Sequence, residues 1–467
     1  MAMASAYPKY QPLDSRWLPR VPEHWSMLRA KNFLREIDDR SKTGEETLLS
    51  MRMQRGLVPH NDVSVKRIAP ENLIGYKKAQ PDDLVLNRMQ AGNAMFFRNR
   101  QPGLVSPDYA VFRLLRDDNP EYLGHLFRSW PMRGLFRSES KGLGTGTSGF
   151  LRLYSDRFAA LEIPLPPRPE QDQIVAYLRA QDAHIARFIR AKRELIKLLT
   201  EQKLAIIDRA VTRGLNPAAP LKPSGIAWLG DVPEHWGVLK LKFATKRIVG
   251  GSTPKSDESS YWDGGIVWVT PRDISKTDSL HTSLRTITAA GLQSCAATLV
   301  PPGSIIITSR APVGNVAIAR VELCTNQGCK AVVPASDIAI SDFLYLLLLR
   351  MKERLQVLAN GTTFAEIGTW VLANEFIPVP PVSEQQAICR WIADECHPLD
   401  EAIARAEQEI KLIREYRDRL IADVVTGQID VRGWQPGPDD AASDEELAAL
   451  GDDEAGNSDE EEADGDN

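Results

Sequence analysis

Two short stretches carry residue types suited to recognition chemistry. Arg88-Met89-Gln90-Ala91-Gly92-Asn93 follows the apolar run Leu84-Val85-Leu86, and Arg310-Ala311-Pro312-Val313-Gly314-Asn315 follows Ile305-Ile306-Ile307. Each sets a planar, multi-donor guanidinium and an amide on a glycine-containing turn after a predicted strand. Those groups match base edges and phosphate oxygens. The same residues also suit an ordinary hairpin turn with Gly and Asn at positive φ, so the pattern alone leaves both readings open.

Other reactive types point to structure. His24 and His235 sit in repeated Pro-Glu-His-Trp segments with, beyond the adjoining Glu of the segment itself, no nucleophile or carboxylate partner repeated beside them, and read as structural. Gly142 to Thr147 is rich in glycine and threonine but lacks the Gly-Lys-Ser/Thr ending of a phosphate loop, and reads as a flexible loop. The five cysteines, Cys295, Cys324, Cys329, Cys389 and Cys396, are odd in number and form no CxxC pair. That usage fits a reducing cytoplasm and buried thiols better than disulfides or zinc, and no metal site is expected.

The elements that position the arginine turns are visible as a repeat. Trp17 to Trp25 and Trp228 to Trp236 agree at seven of nine positions. Ile163-Pro164-Leu165-Pro166-Pro167 leads to Glu170-Gln171, as Ile377-Pro378-Val379-Pro380-Pro381 leads to Glu384-Gln385. Proline forces an extended approach, and an acid favours the first helical turn. Ser383 and Gln386 have capping-box spacing. Beyond each approach runs an apolar seam of heptad type: Ile185, Ile189, Lys192, Ile196, Leu199, Lys203, Ile206, Ala210, and then Leu399, Ile403, Ala406, Ile410, Ile413, Arg417, Leu420, Val424. Such helices need a partner along one face, and the two copies are expected to pack antiparallel. Pro398 predicts a short helix over about 383 to 396 that breaks before the long one.

Bulk numbers set the limits. The 467 residues suffice for two or three domains, and no apolar run is long enough for a membrane span. The N-terminus lacks the pattern of a signal peptide, so a cytoplasmic protein is expected. The net charge of −5 hides a division: 14 acids and no Lys or Arg follow Arg432, leaving 48 acids against 57 bases, a net of +9, in the remainder. A basic body makes a polyanionic partner plausible.

Ala210 to Pro217, Lys222 to Ile226 and Trp228 to Trp236 together resemble the middle of a type I restriction–modification specificity subunit. Both Ile-Pro-(Leu/Val)-Pro-Pro segments and the ending Thr426-Gly427-Gln428-Ile429-Asp430-Val431-Arg432 carry the same likeness, over about 15 to 432. The acidic tail lies outside the pattern. The resemblance implies a mixed α/β fold: two similar target-recognition domains separated by two long helices in an antiparallel coiled coil, a pseudo-two-fold internal repeat. The corresponding boundaries are a flexible N-terminus over 1–14, a recognition domain over 15–168 and a helical region over 169–214. A linker over 215–225 precedes a second recognition domain over 226–382 and a second helical region over 383–428, with a disordered acidic tail over 433–467.

The resemblance also implies a division of labour. Each domain would read one half of a bipartite site in double-stranded DNA, while the coil sets the gap and docks two methyltransferase subunits. Those subunits would supply S-adenosylmethionine chemistry at adenine N6, and restriction subunits ATP- and Mg-dependent translocation and cleavage; this chain would hold no cofactor. The sequence agrees, having no Asn/Asp-Pro-Pro-Tyr/Phe motif and no Walker loop. Candidate DNA contacts are Arg52, Arg88 and Asn93 in the first domain, and Arg272, Arg310, Asn315, Gln327 and Lys330 in the second. Lys255 and Lys276 are further basic loop residues there. Two other readings are a stand-alone nuclease, which would cut DNA unaided, and a coiled-coil adaptor, which would bind no specific DNA.

Overall fold

The computed structural model describes residues 6–53, 55–143, 150–275, 277–359 and 366–438, together with 440, 441, 443, 447 and 450. Lys276, most of the Gly/Thr loop and nearly all of the acidic tail lie outside these residues. The chain divides into two compact units, Met1–Glu194 with Ala406–Asn467, and Leu195–Arg405. Both mix helix and strand.

The first unit is built on an antiparallel sheet in the order Leu34–Ile37, Ala110–Leu114, Leu84–Leu86, Phe96–Arg98. The Leu84–Leu86 run is wholly buried because both faces of the sheet are covered. One face packs Phe96, Phe112, Phe127, Phe136 and Phe158 into an aromatic cluster, with Phe96 stacked on Phe127 at 4.7 Å. The other carries Val85, Phe97 and Val111. Helix Pro120–Arg128 starts cleanly because the Asn119 side chain accepts from the backbone N–H groups of Glu121 and Tyr122.

The second unit holds a five-stranded sheet in the order Thr245–Gly250, Cys329–Pro334, Ile305–Thr308, Val316–Ala319, Ser279–Leu280. Ile305 and Ile307 face one core and Ile306 the other, so the isoleucine run is again buried on both sides. A three-stranded sheet of Arg285–Ile287, Trp262–Val269 and Leu323–Thr325 stands beside it.

The long helices are Arg168–Arg213 and Val382–Val425, 46 and 44 residues, each contributing to both units. Pro398 does not break the second, contrary to the sequence expectation. Proline removes one i→i−4 hydrogen bond; Pro398 and Asp394 are both exposed, so water can serve the carbonyl left over. Ser383 accordingly lies inside the helix, which begins one residue earlier.

The seam positions are the protected ones along these helices. In the first unit Ile185, Ile189, Ala406, Ile410 and Leu420 are buried and Ile413 is half-buried. In the second, Ile196, Leu199, Ile206, Leu399 and Ile403 are half-buried, while most intervening residues are exposed. The charged seam positions each meet an acid of the other helix. Within the first unit Arg417 holds Asp182 through two bonds of 2.6 and 2.8 Å, and Lys192 pairs with Glu409 at 2.5 Å. Partner numbers fall as helix numbers rise, so the segments run antiparallel there. Within the second unit Lys203 meets Asp400 at 2.6 Å.

Described parts of three segments expected to be loose make specific contacts. Tyr10–Pro12 pairs with Arg20–Pro22, and Tyr7 is buried with its hydroxyl on Glu170. Leu221–Pro223, inside the expected linker, pairs with Asp231–Pro233 in the same way. Trp434 lies edge-on to Tyr177 at 5.5 Å, Gln173 donates to the Trp434 carbonyl, and Asp440 lies 2.7 Å from His184. The start of the acidic stretch is therefore laid on the first long helix, because Trp434 supplies an apolar anchor that the acids after it lack.

Candidate nucleic-acid interface

Strand register gathers the second unit's candidates at one end of its sheet. Gly250, Lys330 and Ile307 are successive partners across three strands, which fixes the loops at that end. They are the segment after Gly250, the turn 309–315, and the turn 326–328. Strand Trp262–Val269 ends beside Thr325, delivering helix Pro271–Ile274 to the same place. Two indoles pin the segment after Gly250: Trp262 Nε1 donates to the Lys255 carbonyl at 3.0 Å and Trp268 Nε1 to that of Ser252 at 2.9 Å. Their rings meet edge to face at 5.1 Å, and the Arg285 guanidinium stacks 3.6 Å from the Trp262 centroid.

Arg272, Arg310, Asn315, Gln327 and Lys330 thus sit around one surface, with different commitments. Arg272 is exposed, on a helix whose start is locked by a Thr270–Asp273 capping box, and its guanidinium has no ion pair or hydrogen bond among the described residues. Arg310 gives its Nε–H to Glu366 at 3.0 Å and is half exposed. Lys330 is nearly buried, its Nζ 3.6 Å from the other oxygen of Glu366. Gln327 is exposed and accepts from the Thr253 hydroxyl. Asn315 is half-buried; its carbonyl accepts from the Thr308 N–H and its N–H donates to the Thr308 hydroxyl, leaving its side-chain amide without a hydrogen bond among the described residues.

The first unit's candidates behave differently. Arg88 is 16% exposed, and one terminal nitrogen is bound to Glu36 and, at 2.8 Å, to the Ser155 hydroxyl. Lys77, itself 4% exposed, shares Glu36 at 3.6 Å. Arg88 is therefore committed to internal partners, unlike Arg310. Gly92 lends its carbonyl to Arg133 and Arg137, while Asn93 is exposed and accepts from Arg137 at 3.3 Å. The left-handed residue of this turn is Ala94, whereas in the other unit it is Gly314, so the two sequence copies fold into different turns. Arg52 is half-buried at the turn end of a hairpin, paired in register with Gly56. Met53 follows it and is held at its carbonyl by Arg128 at 2.8 Å. Burial beside Arg417 pushes the Arg128 guanidinium down to about 10, and it stacks on Phe97 at 4.3 Å.

Two partnerships escaped the sequence reading. Glu366 was invisible because it lies 56 residues from Arg310 and has no repeated context. The histidines do have repeated carboxylates: His24 lies 2.7 Å from Glu170, and His235 lies 2.8 Å from Glu384. Those acids begin the long helices, and the recurrence of such a Glu-Gln start 146 and 149 residues after the Pro-Glu-His-Trp histidines was the available signal. Among the described residues no group of three or more His, Cys, Asp or Glu is placed to hold a metal, and no helix is long and apolar enough to cross a membrane.

Residues 233–412 match the family described as the type I restriction modification DNA specificity domain. The MjaIX specificity subunit of a type I restriction enzyme from Methanocaldococcus jannaschii is 38% identical over 164 residues, covering 34% of this chain and 38% of that protein. The MjaVIII specificity subunit from the same organism is 23% identical over 436 residues, 88% of this chain and 95% of the relative. A solved chain from work on complex assembly and conformational transition of the type I R-M system has the same fold, with a TM-score of 0.58 at 19% identity, over 87% of this chain and 99% of that one. Over residues 233–412 the chain is thus similar to the DNA specificity domain of type I restriction–modification enzymes, and the relatives it matches are specificity subunits of such enzymes.

Proposed function

We propose that each unit reads one half of a bipartite site in double-stranded DNA, using the sheet end where its loops gather. The observation that carries this is the convergence of Arg272, Arg310, Asn315, Gln327 and Lys330 on one surface of the second unit, with Arg272 exposed and uncommitted. Guanidinium and amide groups on rigid strand ends are suited to base edges, and the basic balance of the body draws in the phosphate backbone. The two long helices form an antiparallel coiled coil, supported by the protected seam and its ion pairs, and the two halves form a pseudo-two-fold repeat. The coil sets the gap between half-sites and docks two methyltransferase subunits. Those subunits bring S-adenosylmethionine; where restriction subunits join, they bring ATP and Mg.

Methylation mapping in cells carrying this chain with its methyltransferase tests the reading. The expected result is one bipartite motif with a fixed gap, and no methylation or cleavage by the purified chain alone. Methylation by the isolated chain, or a motif without two halves, overturns it.

A further inference from the structure

In both units a carboxylate is shared between the arginine of the Arg-x-x-x-Gly-Asn turn and a protected lysine: Glu36 between Arg88 and Lys77, and Glu366 between Arg310 and Lys330. The glutamates come from unrelated places, one a strand residue and the other 56 residues beyond its arginine. Geometry separates the two clusters. Arg88 spends a terminal nitrogen on Glu36 and Ser155 and is mostly covered. Arg310 gives up only its Nε–H, at 3.0 Å, and stays 46% exposed. Its two terminal amino groups have no hydrogen bond among the described residues.

We infer that Glu366 is a positioning residue that orients Arg310 to read a guanine by both terminal amino groups. A guanidinium reads guanine through a pair of parallel N–H bonds to O6 and N7, and needs its plane fixed beforehand. Holding Nε from behind fixes that plane without using the reading edge. Glu366 is itself held: Ile367 donates its N–H to the Ser309 carbonyl at 2.9 Å, and the backbones of Arg310 and Glu366 form an antiparallel bridge. Its second oxygen faces Lys330, which stands in a central strand. The carboxylate is thus anchored on both sides, and Arg310 is oriented before DNA arrives.

This inference rests on the DNA-reading role proposed above, and the experiment separates the two. Methylation mapping is run on the assembled methyltransferase complex carrying the unmodified chain, Arg310→Ala, Glu366→Ala or Glu366→Gln. Arg310→Ala should relax one G·C pair in one half-site. Glu366→Ala should relax that same pair, with about a tenfold loss of preference for guanine, and leave the other half-site intact. Glu366→Gln still offers Nε an acceptor and should keep most of the preference, which a merely structural role would not predict. Glu366→Ala combined with Arg310→Ala should relax the pair no further than Arg310→Ala alone. The inference is overturned if Glu366→Ala keeps full preference where Arg310→Ala loses it, or if the relaxed pair is not G·C. It is also overturned if Glu366→Ala relaxes several pairs in both half-sites. Should Glu366→Ala not assemble, Glu366→Gln decides: loss of preference equal to that of Arg310→Ala overturns the inference, and its retention supports it. Absence of any bipartite motif with the unmodified chain would instead remove the underlying reading.

Discussion

His24 Nε2 lies 2.7 Å from Glu170 Oε2, although 146 residues separate them. The other oxygen of Glu170 takes the Tyr7 hydroxyl at 2.6 Å and the Trp25 indole N–H at 3.0 Å. Burial and the adjacent carboxylate raise the Tyr7 hydroxyl well above its ordinary pKa, which keeps it a donor. Glu384 occupies the equivalent place in the second unit, yet its partner is His235 alone among these groups, because Trp236 Nε1 has no partner among the described residues. Glu170→Ala strands two buried donors and should destabilise by about 3 kcal/mol. Glu384→Ala breaks a more exposed pair and should cost about 1 kcal/mol or less. Urea unfolding of both variants checks the asymmetry; equal losses would contradict it.

Arg88 and Arg310 occupy matching places in sequence and should fail in different ways. Arg88→Ala removes an internal ion pair and a hydroxyl bond, so it should lower stability by about 2 kcal/mol and weaken binding without changing base preference. Arg310→Ala should leave the melting temperature nearly unchanged. Thermal unfolding beside methylation mapping tells the two apart, and a lost base preference in Arg88→Ala would restore it as a reader.

The His125 imidazole supplies a pH dependence. Burial pushes it down to about 4, against an opposing pull from Asp182 and Glu121. Above about pH 6.5 both folded and unfolded chains hold it neutral. As pH falls below that, the unfolded chain takes the proton first, so stability is lost progressively down to about pH 4. Between pH 7 and pH 5 the loss from this group should be roughly 1–2 kcal/mol. His125→Gln should flatten that part of the urea-unfolding profile, and an unchanged slope would exclude His125 as its source.

Three thiols should be inert in the folded chain. Burial pushes Cys324, Cys329 and Cys389 up to about 12. The thiolate is the reactive form, so alkylation near neutral pH should be slow and accelerate sharply in denaturant. Mass mapping of labelled peptides measures it; rapid labelling of Cys329 in the native protein would contradict its place in the sheet.

Helix length should set the gap between half-sites. One heptad inserted after Leu199 and another after Ile403 keeps the seam and both flanking ion pairs, Lys192–Glu409 and Lys203–Asp400. Seven residues add roughly 10.5 Å, equivalent to at most about 3 base pairs at 3.4 Å each. Methylation mapping should show unchanged half-sites with a longer gap. Methylation at the original gap by an active variant would refute the ruler.

Periodic apolar patterns in this chain were easier to read than the partners of single residues. The seam is legible because a 3.5-residue period survives over many turns, and even its charged positions find acids opposite. The strands at Leu84–Leu86 and Ile305–Thr308 announce themselves as buried on both faces by being continuously apolar. Pro398 misled because the cost of one missing hydrogen bond is local, whereas packing along a 44-residue helix is not. Recognition residues were harder, since a guanidinium's role depends on what stands behind it. Glu36 behind Arg88 and Glu366 behind Arg310 come from distant segments whose spacing carries no period.

The glycines that end the long helices carry one more consequence. Gly214 and Gly427 both take left-handed backbone, at φ of 73° and 72°, as helix-ending residues commonly do. A Cβ at Gly214 would meet Trp236 at 3.1 Å, and one at Gly427 would meet Pro22 at 2.4 Å and Trp25 at 3.1 Å. The first helix therefore ends on the turn that opens the next half, and the second ends on the turn that opens the chain. A circular permutant opened within 215–220, with Arg432 joined to Tyr7 through a short flexible linker, would keep both of these junctions. Neither junction depends on which half comes first along the chain.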